Sequence, residues 1–260
     1  MPYAKKQIRD FIIVDHKDIN PEFFKIKVRS ENDFDAIHPG QFAEVLVPNS
    51  KDAFLRRPLS VHNVNYKENI LEFLIQIVGE GTKALKELKP GDKLNIIFPL
   101  GNSFTIPEID EQVLLIGGGC GVAPLLLMAK TIHEKGIKPH ILIGGRNVDY
   151  LLDFEVYKKY GHVYTTTEDG SHGEKGFVIH HSVLWKSDIP FRRVYSCGPE
   201  AMLQAVAKYA KKKNIFCEVS LENTMACGIG SCLSCVTDTI YGHQRVCKEG
   251  PVFNTNVLKW

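Results

Sequence analysis

The sequence predicts a multidomain α+β chain of three units: an antiparallel β-barrel over residues 1–108, a doubly wound parallel α/β unit over 109–215, and a small cysteine-rich unit over 216–260. Three observations predict it. Up to about residue 108, short alternating or apolar runs are broken by Pro/Gly turns, the pattern of a small barrel. From Gln112 onward, apolar strands alternate with helical stretches, the pattern of a parallel sheet. Beyond Ser220, four of the seven cysteines crowd between Cys227 and Cys247.

In the first unit, Phe24, Ile26 and Val28 alternate with Lys25, Lys27 and Arg29, a strand with one buried face. Pro39-Gly-Gln-Phe42 turns the chain into a strand at Ala43–Val47. Leu71–Val78 is nearly continuous and apolar, as a strand buried on both faces would be. Pro90-Gly91-Asp92 leads into Lys93–Phe98, and Pro99-Leu-Gly101 closes the unit. Its one helical piece is Lys83–Leu88. Two patches carry possible chemistry. Arg57-Pro58-Leu59-Ser60 begins a strand, where alternate groups meet a flat ring and an arginine pairs with phosphate. Gly79-Glu-Gly81-Thr82 opens the short helix, whose free N–H groups suit a pyrophosphate. Taken singly, the two patches read more readily as a surface arginine and a Thr-capped turn.

In the second unit, strands are expected at Gln112–Ile116, Pro139–Gly144, His162–Thr166, Arg193–Cys197 and Ile215–Ser220. Helices are expected after Pro124, at Leu152–Tyr160, at Val178–Trp185 and at Glu200–Lys213. The loop after the first strand reads Gly119-x-Gly121-x-x-Pro124 and lies where such folds take a dinucleotide. Cys197-Gly-Pro-Glu200 ends the fourth strand at the same carboxyl edge, so Cys197 is read as a wall of the nicotinamide pocket. The polar loop Glu168–Gly176 shares that edge. Cys120 and Cys217 read as small structural residues.

In the third unit the spacing is C-x4-C-x2-C (Cys227, Cys232, Cys235), then eleven residues, then Cys247. A 2Fe–2S cluster needs four thiolates, and one loop supplies three only if its backbone curls; Gly228 and Gly230 allow that. A structural zinc site would instead draw on two separated C-x2-C pairs. His243 has no second histidine to complete a Rieske-type set and reads as a solvated turn residue.

Composition narrows the function classes. The 32 basic and 30 acidic residues nearly balance, which argues against nucleic acid or an anionic membrane as partner. The first residues lack a signal-peptide core, and the longest apolar run, Ala123–Ala129, is too short for a bilayer. An odd cysteine count with four already claimed by the cluster suits a reducing, cytoplasmic setting rather than a disulfide framework.

Together, Arg57-x-x-Ser60, Gly119-x-Gly121-x-x-Pro124 and Cys197-Gly-Pro resemble the ferredoxin reductase superfamily. The cluster loop following the nucleotide unit, within Val219–Cys235 and Val246–Phe253, resembles the electron-transfer subunits of class B dihydroorotate dehydrogenases. The resemblance implies FAD, one 2Fe–2S cluster and NAD. It also implies a partner: an FMN-containing catalytic subunit that oxidises dihydroorotate in pyrimidine (UMP) biosynthesis, in a heterotetramer of two of each. Carried over, Arg57, Pro58, Leu59 and Ser60 would hold the flavin, Leu74, Ile75 and Gln76 would line it, and Gly81 and Thr82 would bind its pyrophosphate. Gly119 and Gly121 would face the nicotinamide nucleotide, and Cys227, Cys232, Cys235 and Cys247 would ligate the cluster. Two departures stand out. Leu59 implies weaker stacking on the flavin, and Gln76 replaces a frequent arginine, so one phosphate contact becomes a neutral hydrogen bond. Arg146 is placed to meet a 2′-phosphate or to be merely exposed. Apolar Ile229 and Leu233, with Val252, Phe253, Val257, Leu258 and Trp260, are expected to form a docking face. Other readings are the small subunit of a ferredoxin-dependent NAD(P)H oxidoreductase or sulfide dehydrogenase, and a colourless zinc-stabilised nucleotide-binding scaffold.

Overall fold

The computed structural model describes residues 5–48 and 53–260; the opening residues 1–4, part of the stretch read above for a signal peptide, lie outside them. The first unit contains β1 (Gln7–Asn20), β2 (Phe23–Arg29), β3 (Phe42–Val45), β4 (Arg57–Ser60), β5 (Asn63–Asn65), β6 (Ile70–Gln76), α1 (Glu80–Lys86) and β7 (Lys93–Leu100). The strands pair antiparallel in the order β4-β3-β7-β1-β2-β6-β5. Closure happens at two consecutive residues. The Val61 N–H donates to the Gln41 carbonyl (3.0 Å), on the β3 side, and the His62 N–H donates to the Glu72 carbonyl (2.9 Å), on β6. The two edges of the sheet are therefore joined by one short stretch of chain, and no long edge is left open. Inside lie Phe11, Phe24, Ile26, Phe73, Ile96 and Phe98, all fully buried.

The second unit contains β8 (Gln112–Gly118), α2 (Ala123–Glu134), β9 (His140–Gly145), α3 (Phe154–Tyr157), β10 (His162–Thr167), β11 (Glu174–Lys175), α4 (Ser182–Trp185), β12 (Phe191–Cys197), α5 (Glu200–Lys213) and β13 (Phe216–Ser220). Strands β10-β9-β8-β12-β13 run parallel, with β11 at one edge. The order reverses between β8 and β12, so a crevice opens outside their carboxyl ends. The expected helices at 152–160 and 178–185 are shorter, single turns flanked by irregular chain. Both segments are held by side-chain bonds: the Tyr157 hydroxyl donates to the Val122 carbonyl (2.6 Å), and the Trp185 indole to the Ile179 carbonyl (2.7 Å).

The third unit adds the hairpin β14 (Val236–Thr239) and β15 (Gly242–Arg245), then β16 (Val252–Asn254). Two findings revise its outline. Strand β13, expected as the last strand of the parallel sheet although the unit boundary was drawn at residue 215, pairs in parallel with β12, and β16 pairs antiparallel with β13, so the last unit completes the α/β sheet. The unit is also stapled to the barrel. Asn102 donates from Nδ2 to the Glu249 and Val252 carbonyls (both 2.8 Å) and accepts from the Val252 N–H (2.9 Å). Phe42 and Leu100 of the barrel share a core with Met225, Val246 and Phe253.

Barrel and nucleotide unit meet through buried charge. Asp153 binds Lys25 (2.9 Å) and His62 (2.8 Å) across the boundary. Burial alone would raise the Asp153 carboxyl, but bonds and charges from His62 and Lys25 outweigh it and hold it at about 2. Since the folded value lies below the unfolded one, this stabilisation is complete above about pH 4 and is lost as pH falls through 2. Asp153→Asn should therefore cost about 2 kcal/mol at pH 7. Denaturant unfolding of variant and wild type should show that gap closing as pH drops from 4 towards 2. A gap independent of pH would show that the carboxylate charge is not its source.

Candidate functional site

The two phosphate-type patches of the barrel are one place. A Cβ built on Gly81 would fall 2.3 Å from Arg57 Nε and 2.6 Å from its Cζ, so the guanidinium lies directly over the first turn of α1. Its Nη1 donates to the Leu55 carbonyl (2.6 Å), which fixes the side chain along the mouth of β4. The Thr82 hydroxyl serves its own loop: it donates to the Gly79 carbonyl (3.0 Å) and accepts from the Val78 N–H (2.9 Å). The Leu59 side chain is buried in the barrel core. Pro58 and Ser60 remain half-exposed on β4, as does Gln76 at the end of β6, whereas Leu74 and Ile75 are buried.

At the crevice the glycine-rich loop and the Cys-Gly-Pro motif interlock. A Cβ on Gly121 would lie 2.3 Å from the Cys197 carbonyl oxygen, so only glycine lets the two turns touch. Gly119 has φ +53, which turns the chain into α2. The Cys120 thiol points at the Leu74 carbonyl (3.9 Å), and burial pushes it up to about 12. Cys197 is buried, its sulfur 3.9 Å from Glu222 Oε1, and burial also raises it well above the ordinary thiol range. Glu222 keeps access to solvent yet is crowded by protein on most sides, and that crowding raises its carboxyl. The nucleotide loop, the end of β6, Cys197 and Glu222 thus share one crevice. Glu222 escaped the sequence reading because it opens the cysteine stretch and its partner lies 25 residues earlier.

The four cysteines fall as two pairs. Among the described residues no three ligand-type side chains converge on one point. All four are free thiols; Cys227 is in hydrogen-bond contact with Cys232, and Cys247 with Cys235, while Cys227 also acts electrostatically on Cys247. Two thiolates per iron is what a two-iron cluster requires. The N–H groups of Ser231 (3.3 Å) and Cys232 (3.4 Å) donate to Cys227 Sγ, and that of Cys247 donates to Cys235 Sγ (3.3 Å). Burial opposes ionisation of Cys227, yet donors from Ile229, Cys232 and Ser231 bring it down to about 6. Cys247 is pushed up to about 12 by burial and by Cys235. Gly228, Gly230 and Leu233 all have positive φ, the curl that lets one loop present three sulfurs. Arg245 braces the cage: its Nη1 donates to the Gly230 carbonyl and its Nε to Glu249 (both 3.0 Å). His243 is exposed and pairs with Asp238, away from any ligand role.

One residue joins this cage to β4. Glu44 on β3 is fully buried, and neither carboxyl oxygen has a hydrogen-bond partner among the described residues. Burial pushes it up to about 7, against the pull of Arg56 and Arg57. A Cβ on Gly228 would lie 2.4 Å from Glu44 Cγ, and across the strand Glu44 pairs with Pro58. The cysteine loop therefore rests on the strand pair that carries Arg57–Ser60. The charged Glu44 within Ala43–Val47 was the visible signal, but alternation would have sent it outward. These features fit the expected groups: a cradle closed by Gly81, an orphaned buried acceptor pair and four paired thiols.

An antiparallel barrel, a doubly wound nucleotide unit and a thiol cage on one chain define an iron–sulfur oxidoreductase of ferredoxin-reductase type. The oxidoreductase FAD-binding domain matches residues 10–104, the oxidoreductase NAD-binding domain 115–208, and the iron–sulfur cluster binding domain of dihydroorotate dehydrogenase B 222–259. The dihydroorotate dehydrogenase B (NAD(+)) electron transfer subunit of Fusobacterium nucleatum is 34% identical over 253 residues, covering 95% of this chain and 96% of its own. Those of Caldanaerobacter subterraneus (42% over 222 residues; 83% and 85% covered) and Streptococcus pneumoniae (37% over 254; 95% and 96%) are similar. The chain belongs to this family of electron transfer subunits. Its cofactors are FAD, NAD and an iron–sulfur cluster, and it is an NAD-linked flavoprotein oxidoreductase. Among solved structures, an NADH-dependent reduced ferredoxin-NADP oxidoreductase superposes with TM-score 0.85 at 27% identity, covering 96% of this chain and 90% of that one. The ferredoxin reductase of carbazole 1,9a-dioxygenase (TM-score 0.70, 20% identity, 83% and 68% covered) shares the fold. No helix among the described residues is long and apolar enough to cross a membrane.

Proposed function

We propose that this chain links the FMN of a dihydroorotate-oxidising catalytic subunit to NAD+, in a cytoplasmic heterotetramer of two of each subunit. The observation that carries this reading is the seating of Gly228 on Glu44, which places the thiol cage against the strand pair of Arg57–Ser60. Two-electron hydride exchange with a nicotinamide and one-electron traffic with a cluster meet only at a flavin. In this reading the barrel unit over residues 1–108 holds FAD, the unit over 109–215 holds NAD at Gly119 and Gly121, and the remainder holds the cluster. Arg57, over Gly81, anchors the flavin's phosphates. Pro58, Ser60 and the backbone of Leu59 face its ring, and Leu74, Ile75 and Gln76 line it. Cys227 and Cys232 take one iron, Cys235 and Cys247 the other. Identities of 34–42% to dihydroorotate dehydrogenase subunits, against 27% to the ferredoxin-NADP oxidoreductase, favour the former over the latter as the relevant activity.

Co-purification tests the assembly: an FMN protein competent in dihydroorotate oxidation should elute with this chain, together with FAD, iron and sulfide. Recovery with a ferredoxin-dependent partner instead would transfer the chain to the other oxidoreductase class. NADH should be preferred to NADPH with an artificial acceptor, because exposed Arg146 is engaged on the Tyr150 ring (5.5 Å).

Arg57→Ala should empty the flavin site more than Thr82→Ala. A charge-assisted bond to phosphate is worth ~1.5–3 kcal/mol, whereas the Thr82 hydroxyl only caps its own loop. FAD per chain after desalting is the measure; equal and full occupancy in both variants would move the flavin elsewhere.

A further inference from the structure

His62 lies two residues beyond Ser60, at the seam where the barrel closes, and its side chain leaves the barrel altogether. The ring is fully buried. Nδ1 bonds the Ala123 carbonyl at 2.8 Å, and Nε2 bonds Asp153 Oδ2 at 2.8 Å. Both partners are acceptors, a backbone carbonyl and a carboxylate, and the ring spans the two. Ala123 opens α2 directly after the glycine-rich loop. Asp153 precedes α3 and is held at φ 55, a conformation costly for a residue with a Cβ. Lys25 reaches back to both carboxyl oxygens of Asp153 (2.9 and 3.0 Å) and to Glu72 (3.4 Å), which returns the network to β6.

The rest of α2 is tied down in the same direction. Leu127 enters the barrel core and Lys130 donates to the Val64 carbonyl (3.1 Å) on β5, while from within the nucleotide unit the Tyr157 hydroxyl holds the neighbouring Val122 carbonyl (2.6 Å). Helix α2 is thus pinned at its first turn, middle and third turn to the strand that continues from Arg57–Ser60. We propose that His62, oriented by Asp153 and Lys25, is a positioning residue for hydride transfer: it sets the glycine-rich loop, and with it the nicotinamide, at a fixed height over the flavin strand. A misplacement of about 1 Å costs on the order of 100-fold in rate, so a rigid bridge between the two cofactor units is where such precision would be held. The inference rests on the proposed flavin site at β4.

The test uses the full flavin-loaded chain and NADH. Flavin bleaching is followed by stopped flow at saturating NADH, and every rate is expressed per bound flavin. His62→Gln supplies donors from one amide nitrogen only and cannot span both acceptors; Asp153→Asn is isosteric and removes the charge that orients the ring. Both variants should keep an apparent NADH affinity near wild type, while the limiting rate falls about 10–100-fold. The long-wavelength charge-transfer absorbance between nicotinamide and flavin should weaken, and amide exchange in the glycine-rich loop and α2 should quicken. A merely structural role would lower flavin content and melting temperature but leave the rate per bound flavin and the charge-transfer band unchanged, and that result in either variant overturns the proposal. Failure of the underlying reading is separable: Arg57→Ala retaining full FAD would displace the flavin from β4 whatever the His62 variants do.

Discussion

Cys247→Ser is expected to strip the iron and sulfide from the chain while leaving FAD in place. The four thiols are unequal before any metal binds. Cys227 sits in a nest of N–H donors that brings it down to about 6, whereas Cys247 is buried against Cys235 and pushed up to about 12. Iron must displace the Cys247 proton, and the binding free energy that does so also folds the loop. A serine hydroxyl is harder still to deprotonate and a poorer partner for iron. Loss of the ligand should therefore exceed the roughly 10–100-fold weakening typical of changes just outside a metal's ligand set. FAD should remain because Arg57 and Gly81 touch neither Cys235 nor Cys247, and the Asn102 staple to the backbone around Cys247 survives the substitution. Iron, sulfide and FAD assays on purified variant measure the split. Cys217→Ser is the control, a buried thiol outside the cage that is itself pushed up to about 12. Unchanged iron in Cys247→Ser would remove this residue from the cage.

What the sequence disclosed and what it hid follow one physical line. The curled cysteine loop was legible because three cysteines and their glycines lie within one short stretch of sequence. The parallel sheet was legible because its buried strands are continuous apolar runs. Strand β1 was not, since register shifts at Ile13/Asp15 and Asp18/Asn20 break its alternation and half of it faces solvent. The two single-turn helices were overdrawn because their side chains suit a helix, while side-chain bonds from Tyr157 and Trp185 hold irregular chain beside each turn. The network of Lys25, His62 and Asp153 was invisible for a different reason. Each residue looks ordinary locally, and their meaning comes from contacts across 91 and 128 positions of sequence. Likewise Arg57 and Gly81 were read as two weak patches, when packing makes them one.

The docking face expected from the apolar tail contracts once the fold is known. Val252 and Phe253 are buried, and Val257 and Leu258 pack partly against the core of the last unit, so they hold the cage and do not present it. Of the expected face, what stays outward is Trp260, 40% exposed, and the loop itself: Cys232 is exposed, Ile229 is 44% exposed and Leu233 61%. Cys235 and Cys247 are buried, so the exposed end of the cage is at Cys232, beside Leu233. A leucine held at φ 60 and left in water is unfavourable twice over, in backbone and in hydration, and we propose it as the contact for the partner. Leu233→Asp separates the two costs, because aspartate tolerates the left-handed conformation better than leucine while abolishing the apolar contact. The variant should keep iron, FAD and NADH-to-dye activity at wild-type levels. Burying an unpaired carboxylate at the interface should cost several kcal/mol, enough to lower affinity for the catalytic subunit at least about 100-fold. Size-exclusion chromatography of the mixture should show two separate peaks, and dihydroorotate-driven NAD+ reduction should be lost. Normal co-elution with normal coupled activity would place the docking surface away from Leu233.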